Sequence, residues 1–378
     1  HYILNNNLDE TTDGYTTYVK DGETLAQWIY GKGWEPIGNT DTRFTGQFNG
    51  NGHFIAGLTI DSDVNIEVGL FGATGSEAVI AELGLVNVNI KGERVAGMVV
   101  VNSGVINNCY VSGFLYGGNF VGGIVGLNSG DVDNTYIIGS VLGADEADDV
   151  GGFVYSNQSS GNITNSLAAA YIPTAVPDKV GGFARTSTGN ISSSFWDVQY
   201  SSIGEAGDDN YGATGKTTDE LKMLSIYTNA GWDFTGETAN GSDDVWAIEQ
   251  GNSVSYPYLQ VIDYDEPGTV PAVNPIPGLE VFPYAGGSGT EADPYQIETW
   301  EHLHNVRQNI DAHFELNNNL DETTEDYATY VKDGDTLAND GKGWEPIAGF
   351  DGTLNGQGNT VTGLVIDRGD EDEVGLFT

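Results

Sequence analysis

Residues 95–115 read VAGMVVVNSGVINNCYVSGFL, and residues 121–141 read VGGIVGLNSGDVDNTYIIGSV. Laid one above the other, the two stretches place valine on valine, glycine on glycine and NSG on NSG. Each runs from an apolar strand through an Asn/Ser/Gly turn to an alternating strand. Further valine-glycine anchors stand at Val68 (VGLF), Val150 (VGGF) and Val180 (VGGF), so successive anchors are 27 (95−68), 26 (121−95), 29 (150−121) and 30 (180−150) residues apart. Related text fills the later intervals, SGNITNSLAAAYI from Ser160 and TGNISSSFW from Thr188. Short strands of period-2 pattern, broken by Gly, Asn, Asp and Ser at this spacing, are the marks of a solenoid. One such unit cannot bury its apolar face alone, whereas stacked units pair every strand with its neighbour and make the core continuous. The expected fold is therefore all-β, a right-handed parallel β-helix with small helix-containing caps. Parallel strands lie about 4.8 Å apart, so about eight to ten coils would form a rod of roughly 40–50 Å per long repeat.

The long repeat is visible at a second scale. Residues 1–25, HYILNNNLDETTDGYTTYVKDGETL, return from His313 as HFELNNNLDETTEDYATYVKDGDTL, at an offset of 312 (313−1). GKGWEPI occurs at Gly31 and again at Gly341, and EVGLF at Glu67 and Glu373. This order suggests a tandem array of ~312-residue repeats. Residues 1–200 then hold the coils, with an N-terminal cap missing before His1, and the short repeats occupy about 68–200. Residues 201–262 read as a C-terminal cap, with a Thr-x-x-Glu capping box at Thr217 and Glu220 followed by aromatic text. Residues 263–285 hold five of the eleven prolines and read as an extended linker. Residues 286–378 start the next repeat. There an amphipathic helix over 299–310, capped by Thr299, places Trp300, Leu303, Val306 and Ile310 on one side.

Composition limits the partners. Thirteen basic residues against fifty-five acidic ones give a formal charge of −42 in 378 residues. Such a chain repels the nucleic-acid phosphate backbone and anionic membranes, so no nucleic-acid partner is expected. It suits saline or divalent-rich surroundings. No apolar run reaches the ~18 residues of a membrane span. Cys109 is the one cysteine, which leaves no internal disulfide and reads as a small core residue. Four Asn-x-Ser/Thr sequons, at Asn157, Asn162, Asn190 and Asn240, are glycosylation candidates.

Chemistry-bearing patterns are few. HLH at His302 and His304 lacks the i, i+4 spacing of a zinc-peptidase helix, and no nucleophile elbow or phosphate loop occurs. Carboxylates cluster at Asp145, Glu146, Asp148 and Asp149, and again at Asp367 and residues 370–373. Flexible acidic turns of this kind can hold calcium, though neither matches an EF-hand, and a solvated turn is the competing reading. No catalytic residue or required cofactor is assigned, and no enzyme activity is expected. The tryptophans at 34, 196, 232, 246 and 344 read as buried in caps, with sugar-stacking platforms as the alternative.

The anchors at Val95 and Val121 resemble the GLUG repeat of bacterial and archaeal surface proteins. GSGTEADPYQIETWEHL from Gly286 resembles that family's usual opening, and FWDVQYSS followed by GKTTDELK, NAGWDF and SYPYL its usual close. The resemblance covers about residues 48–196 and the end of the chain. It implies a parallel β-helix in a large extracellular protein and brings no catalytic residues. The expected function is a module of a cell-surface filament, sheath or stalk, contacting neighbouring repeats or copies of itself head to tail. The alternative is an adhesin that binds cell-surface glycans through side loops and aromatic patches.

Overall fold

In the computed structural model, strands Val79–Ala96, Val105–Gly122 and Asp131–Gly143 lie side by side in parallel, the first two each making most of one coil. The register joins equivalent letters of the repeat. Ile80, Ile106, Val132, Ile163 and Ile191 form one inward column, and Leu85, Val111, Ile137 and Ala168 another. Leu83, Cys109 and Thr135 form a third, and all of these side chains are buried. A second, five-stranded parallel sheet takes one strand from each coil, Phe71–Ala73, Val99–Asn102, Val125–Asn128, Val154–Asn157 and Ala184–Ser187. The fold is a parallel β-solenoid of about five turns. This is fewer than the eight to ten coils expected, because the described residues of 4–46 and 217–262 are spent mostly on turns, hairpins and short helices.

Two local devices set the coil. Asn51, Glu82, Asn108, Asn134, Asn165 and Ser193 sit at equivalent corners with φ between 47° and 54°. That left-handed conformation turns the strand, and asparagine is the non-glycine residue that adopts it most readily. The glycine pair of each VGG anchor serves a different need, since none of its members has positive φ. A Cβ on Gly122, Gly151 or Gly181 would meet the carbonyl three residues on, in Val125, Val154 or Ala184. A Cβ on Gly123 or Gly152 would meet the carbonyl of Gly152 or Gly182 in the next coil. The second glycine thus allows consecutive coils to approach.

The structure describes residues 1–262 apart from 23, 29–30, 63–66, 144–148, 173–178, 202, 205–206, 208 and 249–254, and residues 294–378 apart from 309, 311, 325, 335 and 370–373. The chain divides into units His1–Leu279 and Glu280–Thr378. The expected linker at 263–285 lies outside the described residues. In the second unit, Tyr295–Ile297, His313–Leu316 and Thr353–Asn355 form a parallel sheet. The helix expected there is present as Trp300–Asn305, continued by a 3-10 turn, Val306–Gln308. Thr299 Oγ1 accepts from the His302 amide at 3.2 Å, and Trp300, Leu303 and Val306 are fully buried.

Candidate functional site

Inside the stack, the last residues of VVVN, VGLN, VYSN and ARTS point inward and meet from coil to coil. Thr74 Oγ1 donates to Asn102 Oδ1 at 2.7 Å; Asn102 Nδ2 donates to Asn128 Oδ1, and Asn128 Nδ2 to Asn157 Oδ1, both at 2.9 Å. Asn157 Nδ2 ends the run on Ser187 Oγ at 3.2 Å. Asn102 and Asn128 also hold the amide and carbonyl two residues on, Gly104 and Gly130. The ladder therefore secures each turn and links it to its neighbours, with the three buried side-chain amides all engaged. Buried polar networks specify register when every member is satisfied. A one-step slip would orphan all of them at once.

The outer flank of the same strands is also dry. Phe54, Tyr110, Tyr136, Leu167 and Phe195 occupy one outward register position, with Gly84 in place of a side chain in the second coil. Against this column lie Leu221, Tyr227, Trp232, Phe234, Trp246, Tyr256, Leu259 and Ile262. The segment expected to cap the end of the solenoid is in this respect a sleeve along its side. Its contacts extend from Phe195 in the last coil to Gly52, where the Val261 carbonyl would collide with any Cβ. The physical reason is the apolar outward column, which an end cap alone would leave exposed to water. Hydrogen bonds hook the sleeve onto the left-handed corners: Trp246 Nε1 donates to Asn134 Oδ1 at 3.1 Å and Trp232 Nε1 to the Ser193 carbonyl at 2.7 Å. The Thr217–Glu220 capping box is present, Thr217 N donating to Glu220 Oε2 at 2.9 Å and Glu220 N to Thr217 Oγ1 at 3.2 Å. The Thr217 amide, with Lys216 beside it, holds the Glu220 carboxyl below its ordinary range.

One ionisable group is sealed between coil and sleeve. Asp197 Oδ1 accepts from the amides of Gln199 and Tyr200, each at 2.9 Å, while Oδ2 accepts from Thr218 Oγ1 at 2.7 Å and Tyr256 Oη at 2.5 Å. Burial raises its pKa despite these four donors. Burial also raises the Tyr256 hydroxyl, and the neighbouring carboxylate adds to the shift. Cys109 is likewise sealed, its thiol pushed up to about 12 by burial. Neither group faces solvent, which suits structural roles.

Of the four acidic residues singled out for calcium, Asp145, Glu146 and Asp148 lie outside the described residues. Asp149 Oδ1 accepts from Arg185 Nε at 2.8 Å and lies 3.7 Å from Lys179 Nζ. Among the described residues, no group of three or more His, Cys, Asp or Glu is placed to hold a metal ion.

The sequons divide. Asn157 is part of the inner ladder and buried, so a glycan on its nitrogen is incompatible with the folded coil. Asn240 Nδ2 is also engaged, donating to the carbonyls of Thr228 at 2.7 Å and Trp232 at 3.1 Å. Asn162 and Asn190 stand one above the other on the outer face, where Asn190 Nδ2 donates to Asn162 Oδ1 at 2.6 Å and Asn190 is exposed. The sequence offered one clue to the ladder: Asn102, Asn128 and Asn157 follow their anchors at one spacing. The tryptophans at 196, 232, 246 and 344 are buried, and Trp34 is half-buried. No helix among the described residues is long and apolar enough to cross a membrane.

No family model matches the chain. No solved structure matches it. Part of the chain is 41% identical over 100 residues, 25% of this chain and 10% of the relative, to a "Putative Gly-rich membrane protein" of Evansella cellulosilytica. Another match is 34% identical over 121 residues, 31% of this chain and 1% of the relative, to Halomucin of Haloquadratum walsbyi. The chain thus spans a tenth or less of the length of these curated relatives, and its similarity is to segments of two much longer proteins.

Proposed function

We propose that this chain is a structural module of an extracellular cell-surface filament, sheath or stalk built from tandem β-helical repeats. The observation that carries the reading is the double sealing of one stack of coils, by a hydrogen-bonded ladder inside and an aromatic sleeve outside. Such a stack resists slippage and bending because each coil is held to the next by backbone, amide and packing contacts together. Return of the first 25 residues at an offset of 312 (313−1) supplies the means of extension. The names of the long relatives, a Gly-rich membrane protein and Halomucin, support a surface location. The charge of −42 would hold such a surface hydrated and its copies apart laterally in moderate salt.

Cryo-electron microscopy of the native cell surface tests the proposal. Filaments or sheaths whose axial repeat equals one 312-residue unit are expected. Isolated rods with no axial periodicity, saturating with a defined glycan on an array, would transfer the function to adhesion instead.

A further inference from the structure

The chain carries Asn-x-Ser/Thr sequons at Asn157, Asn162, Asn190 and Asn240, and the fold uses their side-chain nitrogens in different ways. A side-chain amide has two hydrogens to donate. Once a sugar is attached to the nitrogen, one hydrogen is left, so one donated bond survives and a second does not. Asn157 Nδ2 donates inside the stack to the Asn190 carbonyl at 3.1 Å and to Ser187 Oγ at 3.2 Å. Asn240 Nδ2 donates to the carbonyls of Thr228 at 2.7 Å and Trp232 at 3.1 Å. A sugar on either nitrogen would break a bond that the fold uses, whether it was attached before folding or after.

Asn162 and Asn190 lie on the outer face, in one column with Asp131. Parallel strands are about 4.8 Å apart, so a sugar on one member of such a column crowds its neighbours. Asn162 has a neighbour on each side, Asp131 and Asn190, and is half-buried. The hydroxyl of its sequon, Thr164 Oγ1, donates to Asp133 Oδ1 at 2.5 Å.

Asn190 is exposed and is the last member of the column among the described residues. Its backbone is fixed from within, the amide donating to the Gly161 carbonyl at 2.9 Å and the carbonyl accepting from Asn157 Nδ2. Its own Nδ2 makes one short bond, to Asn162 Oδ1 at 2.6 Å. The second hydrogen is left for the outer side, where Ser192 Oγ lies 3.5 Å away. Ser192 is the hydroxyl residue of this sequon and shares the face of Asn190, as the period of two in a strand dictates.

We propose that Asn190 is the N-glycan attachment site of this chain, in preference to Asn157, Asn162 and Asn240. In the transfer, Asn190 Nδ2 bonds to the anomeric carbon of an oligosaccharide carried on a polyprenyl phosphate or diphosphate. The bond from that carbon to the phosphate oxygen breaks, the lipid phosphate leaves, and one amide proton passes to a base of the transferase. The hydrogen that stays on Nδ2 keeps its bond to Asn162 Oδ1, so the sugar is directed outward from the last coil. The inference rests on the extracellular location proposed above, because such transfer takes place on the non-cytoplasmic side of a membrane.

Glycopeptide mass spectrometry of the full chain from its source cells, beside surface labelling of the intact cells, tests this. A sugar mass is expected on the peptide spanning Asn190 and on none spanning the other three sequons. Asn190→Gln should abolish it, and so should Ser192→Ala, which keeps the asparagine, whereas Thr164→Ala should leave it in place. A surface-labelled chain with a bare Asn190 peptide would overturn the proposal and leave the surface location standing. A sugar on Asn157, Asn162 or Asn240 of the folded chain would overturn the choice among the sequons. A chain recovered unlabelled and in the cytosol would overturn the surface location, and the proposal with it.

Discussion

The inside of the solenoid and its sleeved flank are both dry, but they are built on opposite plans. Inside, each coil repeats its neighbour: Ile80 lies under Ile106, Val132, Ile163 and Ile191, and asparagine under asparagine. On the flank, a column of one residue per coil meets a segment, residues 217–262, with no internal repeat. The inner plan distributes its contacts evenly, so losing one rung leaves the others intact. The outer plan concentrates them on a few large rings, with Trp232 and Trp246 4.5 Å apart at its centre. Repetition gives register and length, while the unique segment ends the repetition and shields what the coils leave apolar.

The largest expected effect falls on the flank. Trp246→Ala removes a fully buried indole, its tilted ring contact with Trp232 and its bond to Asn134, and should cost about 3–5 kcal/mol. Urea unfolding would measure this, and near-ultraviolet dichroism should be lost before the far-ultraviolet β signal. Simultaneous loss of both signals would show that sleeve and stack are one cooperative unit.

Asn128→Ala comes next. It leaves Asn157 Oδ1 and the Gly130 amide without their partner, while the Gly130 carbonyl keeps the Asn162 amide, at about 2–4 kcal/mol for two buried groups left unsatisfied. The same change at exposed Asn190 should shift the urea midpoint by little, within about 0.5 kcal/mol. Equal effects at the two sites would remove the distinction between ladder and surface.

Asp197 sharpens the contrast through pH. Burial raises its folded pKa above the ordinary aspartate value of 3.8, so folding favours the protonated form. Its contribution is full below the unfolded pKa and is lost as pH rises through the raised folded value. Stability of the native protein relative to Asp197→Asn should therefore fall as pH rises from below 3.8 towards neutrality, as read from paired urea midpoints. A pH-independent difference would contradict a protonation change at this buried site.

The mildest effect is expected from salt. With fifty-five acidic against thirteen basic residues, raising ionic strength from ~0.1 to ~1 M shortens the screening length from about 10 to 3 Å and should raise the melting temperature. A fall would mean that the six ion pairs seen among the described residues outweigh the general repulsion.

By itself the sequence determined the solenoid, the position of each anchor, the capped helix at Trp300 and the capping box at Thr217. These are properties of period and of neighbours a few residues apart, and both are written along the chain. The tertiary structure alone decided that Asn157 is a buried rung of the ladder, because only stacking shows which side of the coil an asparagine faces. It also decided that the described residues of 217–262 pack along the flank. Strands such as YIIGSV at Tyr136 and LAAAY at Leu167 are apolar without alternation, as parallel strands covered on both faces are. Such a run announces a second cover without naming it, since packing between aromatic rings and a sheet face depends on shape in three dimensions.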